Sequence, residues 1–166
     1  IDGWRLDVAF DLGFEYLNEL TQAAHEAKSG SLVVGEVWNY PDKWLEVMDG
    51  VMNFSFREIV LSWVRGAINS QKASNMILQI IDDSDFEGLL KSWLVLDNHD
   101  TPRLKTLLPL SWQQKIAQVL QFTLPGAPNI YYGVELGMEG GNDGFRSAGG
   151  KIYASQGGYV NSTGGK

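Results

Sequence analysis

The chain has 166 residues, no cysteine, a net charge of −7 and a sequence pI of about 4.7. The absence of cysteine excludes disulfide bonds and cysteine metal sites. The acidic balance argues against nucleic acid and against anionic membrane surfaces as partners, and no apolar run approaches the roughly 18 residues of a membrane span. A neutral polymer is a partner that this charge allows.

The first informative stretch, residues 3–9, alternates between bulky apolar and small or polar positions. A period of two predicts a β-strand with Arg5 and Asp7 on one face. A guanidinium beside a carboxylate favours the ionised carboxylate, which is the form that a carboxylate nucleophile requires. For an isolated pair, a structural ion pair is the better interpretation, because paired charges in regular elements are often structural.

Two later apolar strands also end in acids. Because three strands share this feature, a common functional site becomes a better interpretation of Asp7 than an isolated structural ion pair. Residues 32–38 carry Glu36 near the end of an apolar run, and residues 92–97 lead into a polar cluster that contains Asp100. Parallel strands covered by helices bring their carboxyl ends to one edge, where barrels of this class place their chemistry. The sequence therefore predicts that Asp7, Glu36 and Asp100 converge at one end of a curved parallel sheet.

The rest of the chain alternates helices with strands. The acidic break at residues 82–85 is interpreted as a helix-capping loop rather than a calcium loop, because EF-hand spacing is absent. Ser111 is predicted to be the N-cap of the last helix. The predicted helices span residues 11–29, 56–69, 73–81 and 111–122, with a short one from Pro41, and the predicted strands span residues 3–9, 32–37, 51–54, 92–97 and 129–132.

Three motifs carry a resemblance to a known family. They are G-W-R-L-D-V-A at residues 3–9, G-E-V-W at residues 35–38 and L-D-N-H-D-T-P-R at residues 96–103. In this order and at this spacing they resemble the alpha-amylase family of retaining alpha-glucan enzymes. The G-E-V-W motif is similar to its cyclomaltodextrinase, neopullulanase and maltogenic-amylase branch.

The resemblance implies an α/β fold that is a partial (β/α)8 TIM barrel. Its parallel sheet would hold strands four to eight with intervening helices, and the first three strands of the barrel are not in this sequence. Residues 1–138 would form the C-terminal part of the catalytic barrel, and residues 139–166 a Gly-rich irregular tail.

The resemblance also implies roles for three acids and one arginine. Asp7 would be the nucleophile and Glu36 the acid/base of a retaining glycosidase. Asp100 would orient sugar hydroxyls and stabilise the oxocarbenium-like transition state. Arg5, placed with the substrate-binding residues, would hold Asp7 ionised.

Three further residues are assigned to substrate binding by the resemblance, each with a structural alternative. Trp38 would stack on a glucose ring or cap the barrel rim. His99 would contact a sugar hydroxyl or be a buried structural histidine, and its position between Asn98 and Asp100 favours sugar contact. Arg103 would support the active site or form an ion pair within its loop.

The tail departs from the family pattern. The family's N-D-P-x-x-R motif is replaced by N-D-G-F-R at residues 142–146, which lacks the proline and is one residue shorter. We therefore do not expect Asp143 and Arg146 to keep the family's sugar-binding roles.

The function implied by the resemblance is hydrolysis of alpha-1,4-glucosidic bonds in maltodextrin, starch or cyclodextrin with retention. The alternatives are transglycosylation by the same residues and a catalytically inactive glucan-binding or scaffold protein of the same fold. No metal ligand or cofactor is assigned in this chain. Calcium is left open for a full-length parent, because the family's usual calcium ligands lie largely upstream.

A sheet of only five barrel strands has two unpaired edges. We expect these edges, together with inward-facing apolar side chains such as Val34, to be exposed and to favour self-association. The isolated chain is accordingly expected to have little or no hydrolase activity.

Overall fold

Five parallel strands form one sheet in the computed structural model, which describes residues 1–141, 151–153 and 159–161. Each strand pairs with its neighbour in the chain, so the sheet order is the sequence order. The strands are β1 Gly3–Leu6, β2 Leu32–Val37, β3 Gly50–Asn53, β4 Trp93–Val95 and β5 Ala127–Asn129. The predicted α/β class and the parallel pairing are confirmed.

Six helices and two single turns of 3-10 helix connect these strands, and a separate antiparallel pair lies in the tail. The helices are α1 Phe14–Ala27, α2 Phe54–Val64, α3 Ser70–Asp83, α4 Phe86–Lys91, α5 Leu104–Leu107 and α6 Ser111–Thr123. The 3-10 turns are Ala9–Asp11 and Asp42–Glu46, and the tail pair is β6 Lys151–Tyr153 with β7 Tyr159–Asn161. No helix in the described part of the chain is long and apolar enough to cross a membrane.

All strands except β2 differ from their predicted bounds, and the first and the last differ most. The first strand ends at Leu6, because Val8 has a left-handed backbone (φ 47°, ψ 41°) that no extended strand accommodates. The last strand begins at Ala127, earlier than predicted, because its pairing with β4 sets its start. Its sequence, Ala-Pro-Asn, has little intrinsic strand preference.

Helix α4 was not predicted, and its start explains the acidic break before it. The side chain of Asp85 accepts a hydrogen bond from the Gly88 N–H at 2.7 Å, which is an N-cap. The helix-capping interpretation is therefore confirmed. The predicted cap of α6 is wrong: the N-cap is Leu110, whose N–H donates to the Gln113 side chain at 3.2 Å.

Helices cover the outer face of the sheet. Val33 and Val37 of β2 point to this face and pack with Leu17 of α1 and Ile59 of α2 in the largest apolar cluster. All four side chains are almost completely removed from solvent. Burial of apolar area on this scale is the main force that holds helices on a parallel sheet.

The inner face is also buried, which corrects the expectation for Val34. Its side chain is 1% exposed and clusters with Met52, Phe54 and Val95. Met52 and Val95 come from the neighbouring strands β3 and β4. Because curvature turns the inward side chains of adjacent strands toward one another, they cover each other without the rest of a closed barrel.

Candidate active site

The three acids with predicted catalytic roles follow or end three strands of the sheet. Asp7 directly follows β1, Glu36 is the penultimate residue of β2, and Asp100 lies in the loop after β4. The strands are parallel, so their carboxyl ends share one edge. The register pairs Leu6 with Gly35, which makes Asp7 and Glu36 neighbours across the two strands.

Arg5 contacts two of these acids. Its Nη1 donates to Oδ1 of Asp7 at 2.5 Å, and its Nη2 lies 3.1 Å from Oε2 of Glu36. The second contact is an ion pair without hydrogen-bond geometry, since the buried Nη2 makes no hydrogen bond within the described residues. One guanidinium therefore holds both carboxylates close together.

The two carboxylates differ in exposure and in environment. The Asp7 side chain is 73% exposed, whereas that of Glu36 is 6% exposed. The hydrogen bond from Arg5 is the main cause that lowers the pKa of Asp7, and partial desolvation opposes it. The Glu36 carboxyl and the charge of His99 also lower the pKa of Asp7. Asp7 is thus ionised and accessible.

Three donors surround the buried carboxylate of Glu36. The Val8 N–H donates to Oε2 at 3.0 Å, the indole N–H of Trp38 donates to Oε1 at 3.2 Å, and Arg5 pairs with Oε2. Trp38 in turn stacks on Phe54, with ring centroids 3.9 Å apart and planes 10° from parallel. These contacts fix the position of Glu36, while 44% of Trp38 stays exposed at its side.

The contact from Val8 depends on two features that the sequence motifs do not reveal. Val8 is the one non-glycine residue with positive φ among the described residues, and its N–H is the donor to Glu36. The 3-10 turn that follows packs tightly on Gly35, where an added Cβ would lie 2.6 Å from Met48 and 2.9 Å from Ala9. Glycine is therefore needed beside the acid for the turn to approach.

The loop after β4 presents His99 and Asp100 side by side. His99 Nε2 and Asp100 Oδ2 are 2.9 Å apart. The loop is closed by its own polar groups, since the Asn98 N–H donates to Thr101 Oγ1 at 2.9 Å and the Asp100 N–H donates to Asn98 Oδ1 at 3.2 Å. Both His99 and Asp100 remain partly exposed, as residues that contact a ligand must be.

Arg103 is buried, whereas the other predicted substrate-binding residues are at least partly exposed. It is 2% exposed, and its guanidinium lies over the rings of Tyr131 and Tyr132 at 4.2 and 4.5 Å. It also donates to the Tyr132 carbonyl, and its N–H donates to the Gly140 carbonyl at 3.0 Å. These contacts connect the loop after β4 to the segment after β5.

An apolar cleft of about 390 Å³ opens beside Trp38, between the loop after β2 and helices α2 and α3. Tyr40 lines it and donates from its hydroxyl to Asp83 Oδ2 at 2.9 Å. Phe54 and Met76 provide much of its apolar wall. The cleft lies next to Glu36 because Trp38 contacts both.

The predictions about metal binding and the tail concern residues outside this site. No group of three or more His, Asp or Glu side chains in residues 1–141 has an arrangement that could hold a metal ion. Calcium in a full-length parent stays a prediction, and we derive no step through it. Asp143 and Arg146, predicted to have lost their sugar-binding roles, lie outside the described residues.

Comparison with known families identifies one match. The profile of the alpha-amylase family, described as the alpha amylase catalytic domain, matches residues 1–157. The match continues beyond residue 138 and includes part of the Gly-rich tail, in which the family's motif is altered.

Individual proteins give the same result. A cyclomaltodextrinase from a Bacillus species is 35% identical over 147 residues, which cover 86% of this chain and 26% of that protein. Neopullulanase 2 of Thermoactinomyces vulgaris is 34% identical over 150 residues, with 86% and 25% covered. The acarbose-soaked debranching enzyme of Nostoc punctiforme superposes with a TM-score of 0.81 at 30% identity, covering 86% of this chain and 35% of that one. The chain spans about a quarter of the length of the curated relatives it matches.

Proposed function

Because the chain belongs to the alpha-amylase family, whose profile covers residues 1–157, we propose that its protein is a glycoside hydrolase. Its substrates are alpha-1,4-linked glucans of the maltodextrin, starch and cyclodextrin type, and it cleaves them with retention of configuration. Cyclic glucans are included because one relative is named a cyclomaltodextrinase.

The observation that carries this proposal is the contact of one Arg5 guanidinium with both Asp7 and Glu36. Retaining glycosidases need two carboxyl groups about 5–5.5 Å apart, whereas inverting enzymes leave a wider gap for water. Two carboxylates that contact the same guanidinium lie close together, which agrees with the shorter separation of retaining enzymes. Their unequal environments also suit two different roles.

Asp7 is the nucleophile in this mechanism. Its carboxylate is exposed and ionised, so it can attack the anomeric carbon. As the carbon–oxygen bond to the leaving group breaks, a proton from Glu36 passes to the leaving oxygen, and a glucosyl ester forms on Asp7. Glu36 then removes a proton from water, which attacks the anomeric carbon, breaks its bond to the Asp7 oxygen and releases the sugar with its original configuration.

The remaining residues bind sugar around this centre. Asp100 and His99, paired at 2.9 Å, hydrogen-bond ring hydroxyls next to Asp7. Trp38 offers its exposed indole to a glucose ring beside Glu36, on the leaving-group side. A second sugar that replaces water at this position would give transglycosylation with the same residues.

Trapping of the covalent intermediate in the full-length parent protein, which has the complete barrel, tests the proposal. A glucosyl fluoride needs no proton for its leaving group, so the Glu36→Gln variant should acquire a glucosyl group on Asp7 that mass spectrometry detects. The Asp7→Asn variant keeps nearly the same shape and should acquire none, and its turnover of maltotriose should be abolished.

Three other results would each count against one part of the proposal. Near-normal turnover of maltotriose by Asp7→Asn would exclude Asp7 as the nucleophile. An inverted product, observed by NMR of the anomeric protons, would exclude retention. Maltotriose binding without any adduct or turnover in the wild-type protein would favour the inactive glucan-binding alternative.

A further inference from the structure

A buried arginine on α2 contacts the end of β4, just before the loop with His99 and Asp100. Arg57 is 6% exposed, and its Nε donates to the Leu96 carbonyl at 3.0 Å. Leu96 follows the last residue of β4, so its carbonyl lies beyond the strand. A buried carbonyl without a partner is costly, and Arg57 provides that partner.

The next residue, Asp97, forms a hydrogen bond that joins the start of this loop to its end. It is 2% exposed, and its Oδ2 accepts from the Leu104 N–H at 2.8 Å. This bond joins the two ends of the loop, because Leu104 begins α5. Burial is the main cause that raises the pKa of Asp97, while the hydrogen bond from the Leu104 N–H and the charges of Arg103 and Arg57 act in the opposite direction.

Arg57 and Arg103 therefore hold the loop from two sides. Arg103 fixes the far end on Tyr131 and Tyr132, as described above. Arg57 fixes the near end at the Leu96 carbonyl, and its Nη1 pairs with Glu58 at 2.5 Å. A buried guanidinium carries a desolvation cost that an apolar side chain of similar size avoids, so packing alone does not explain its presence.

We infer that Arg57 is a positioning residue: by holding the Leu96 carbonyl at the start of the loop, it sets the place of His99 and Asp100 relative to Asp7. The inference rests on the proposed sugar-binding role of Asp100. A shift of about 1 Å in a reacting or binding group can lower a rate about 100-fold, which makes the anchor of this loop functionally important.

The chain offers a direct spectroscopic test, because it contains only two histidines. His99 lies in the loop, and His25 lies beyond the opposite end of the sheet, paired with Asp49 at 2.8 Å. Their ring signals in a proton–carbon NMR spectrum therefore report separately on the loop and on the rest of the fold.

Arg57→Met removes both the donor and the charge. It should displace the His99 signals, leave the His25 signals in place and accelerate hydrogen exchange of the Leu104 amide about tenfold or more, as expected for loss of support to a charged hydrogen bond. Arg57→Lys restores the charge and should return His99 toward its wild-type position. Arg65→Met removes an exposed arginine from the end of the same helix and should change neither histidine.

If Arg57→Met does not fold, the double variant Arg57→Met, Asp97→Asn replaces it. This variant leaves no buried charge at either position, and the amide oxygen at residue 97 can still accept from Leu104. Unmoved His99 signals and unchanged Leu104 exchange in either folded variant would overturn the inference. So would equal displacement of His25, because it would indicate a global effect.

Addition of maltotriose separates this inference from the proposed function. Wild-type His99 signals should move on addition of the sugar, and those of Arg57→Met should respond less. Failure of the wild-type signals to move would count against the sugar-binding site itself. Displacement of His99 by Arg57→Met before sugar is added would still establish how the loop is held.

Discussion

The N–H of Val8 donates to Oε2 of Glu36 at 3.0 Å from a backbone that is left-handed at φ 47°. A β-branched residue in this region is strained, and such strain is found where surrounding structure enforces a functional geometry. Val8 thus combines a strained backbone with a hydrogen bond to the buried carboxylate of the predicted acid/base.

Replacement of Val8 by glycine should relieve the strain. Strained backbone of this kind costs about 1–3 kcal/mol, whereas the added chain entropy of glycine costs about 0.5–1 kcal/mol. We expect Val8→Gly to raise the free energy of unfolding by about 1 kcal/mol in urea titrations. A decrease of similar size would show that Val8 is not strained.

The close approach at Gly35 should tolerate no side chain. In Gly35→Ala the new methyl group would lie 2.9 Å from the Ala9 side chain, so the turn must move and the Val8 bond to Glu36 must lengthen. We expect a loss of about 1–3 kcal/mol in stability and a strong loss of activity. Gly141→Ala is the control, because no atom lies within 4 Å of a Cβ there; equal effects of both substitutions would contradict the steric argument.

The pKa of Asp7 should depend on Arg5. Because the bond from Arg5 lowers the pKa of Asp7 in the folded chain, this pair supports folding above the ordinary aspartate pKa and loses that support as the pH falls through the lowered value. Arg5→Gln should raise the pKa of Asp7 and move the acid limb of activity to higher pH. Carbon NMR of the Asp7 carboxyl measures the shift, and Lys43→Gln, a remote surface change, should produce none.

Two tyrosines should ionise late in an alkaline titration followed at 295 nm. Burial raises the pKa of Tyr40 and of Tyr131 to about 12, and the bond to Asp83 adds to the effect at Tyr40. The stability from these neutral phenols is complete below the unfolded value near 10 and is lost as the pH rises through about 12. Tyr40→Phe should remove part of the late absorbance change, whereas Tyr16→Phe, on an exposed residue, should leave it intact.

The unpaired edges of the sheet should still favour association. Within the described residues β1 pairs only with β2, and β5 only with β4, while Trp4 on β1 is 51% exposed. Light scattering should show a mass that increases with concentration, together with little turnover of maltodextrin or cyclodextrin. Trp4→Lys should weaken association, since a charge on an edge strand opposes pairing. A concentration-independent monomer with robust turnover would contradict this prediction.

The local sequence predicted those helices and strands whose hydrophobic pattern is strong. Strand β2 was predicted with its observed bounds, because a run of valines between Gly30 and Trp38 leaves little alternative. Strand β5 was misplaced because its Ala-Pro-Asn sequence becomes a strand only through pairing with β4. The family and its branch were predicted correctly from three motifs.

The candidate site was predictable where it consists of charged side chains at strand ends. Asp7, Glu36 and Arg5 were found in this way, and the structure brings them into contact. Val8 and Gly35 were missed because they act through a dihedral angle and through a missing side chain. Neither property has a chemical signature in a single sequence.

The order of the strands has a consequence for how the chain folds. Since each strand pairs with the strand before it, no strand has to wait for a later one before it joins the sheet. During synthesis, β1, α1 and β2 can pack before β4 and β5 leave the ribosome. Asp7 and Glu36 would then be held by Arg5 while the loop with Asp100 is still being made.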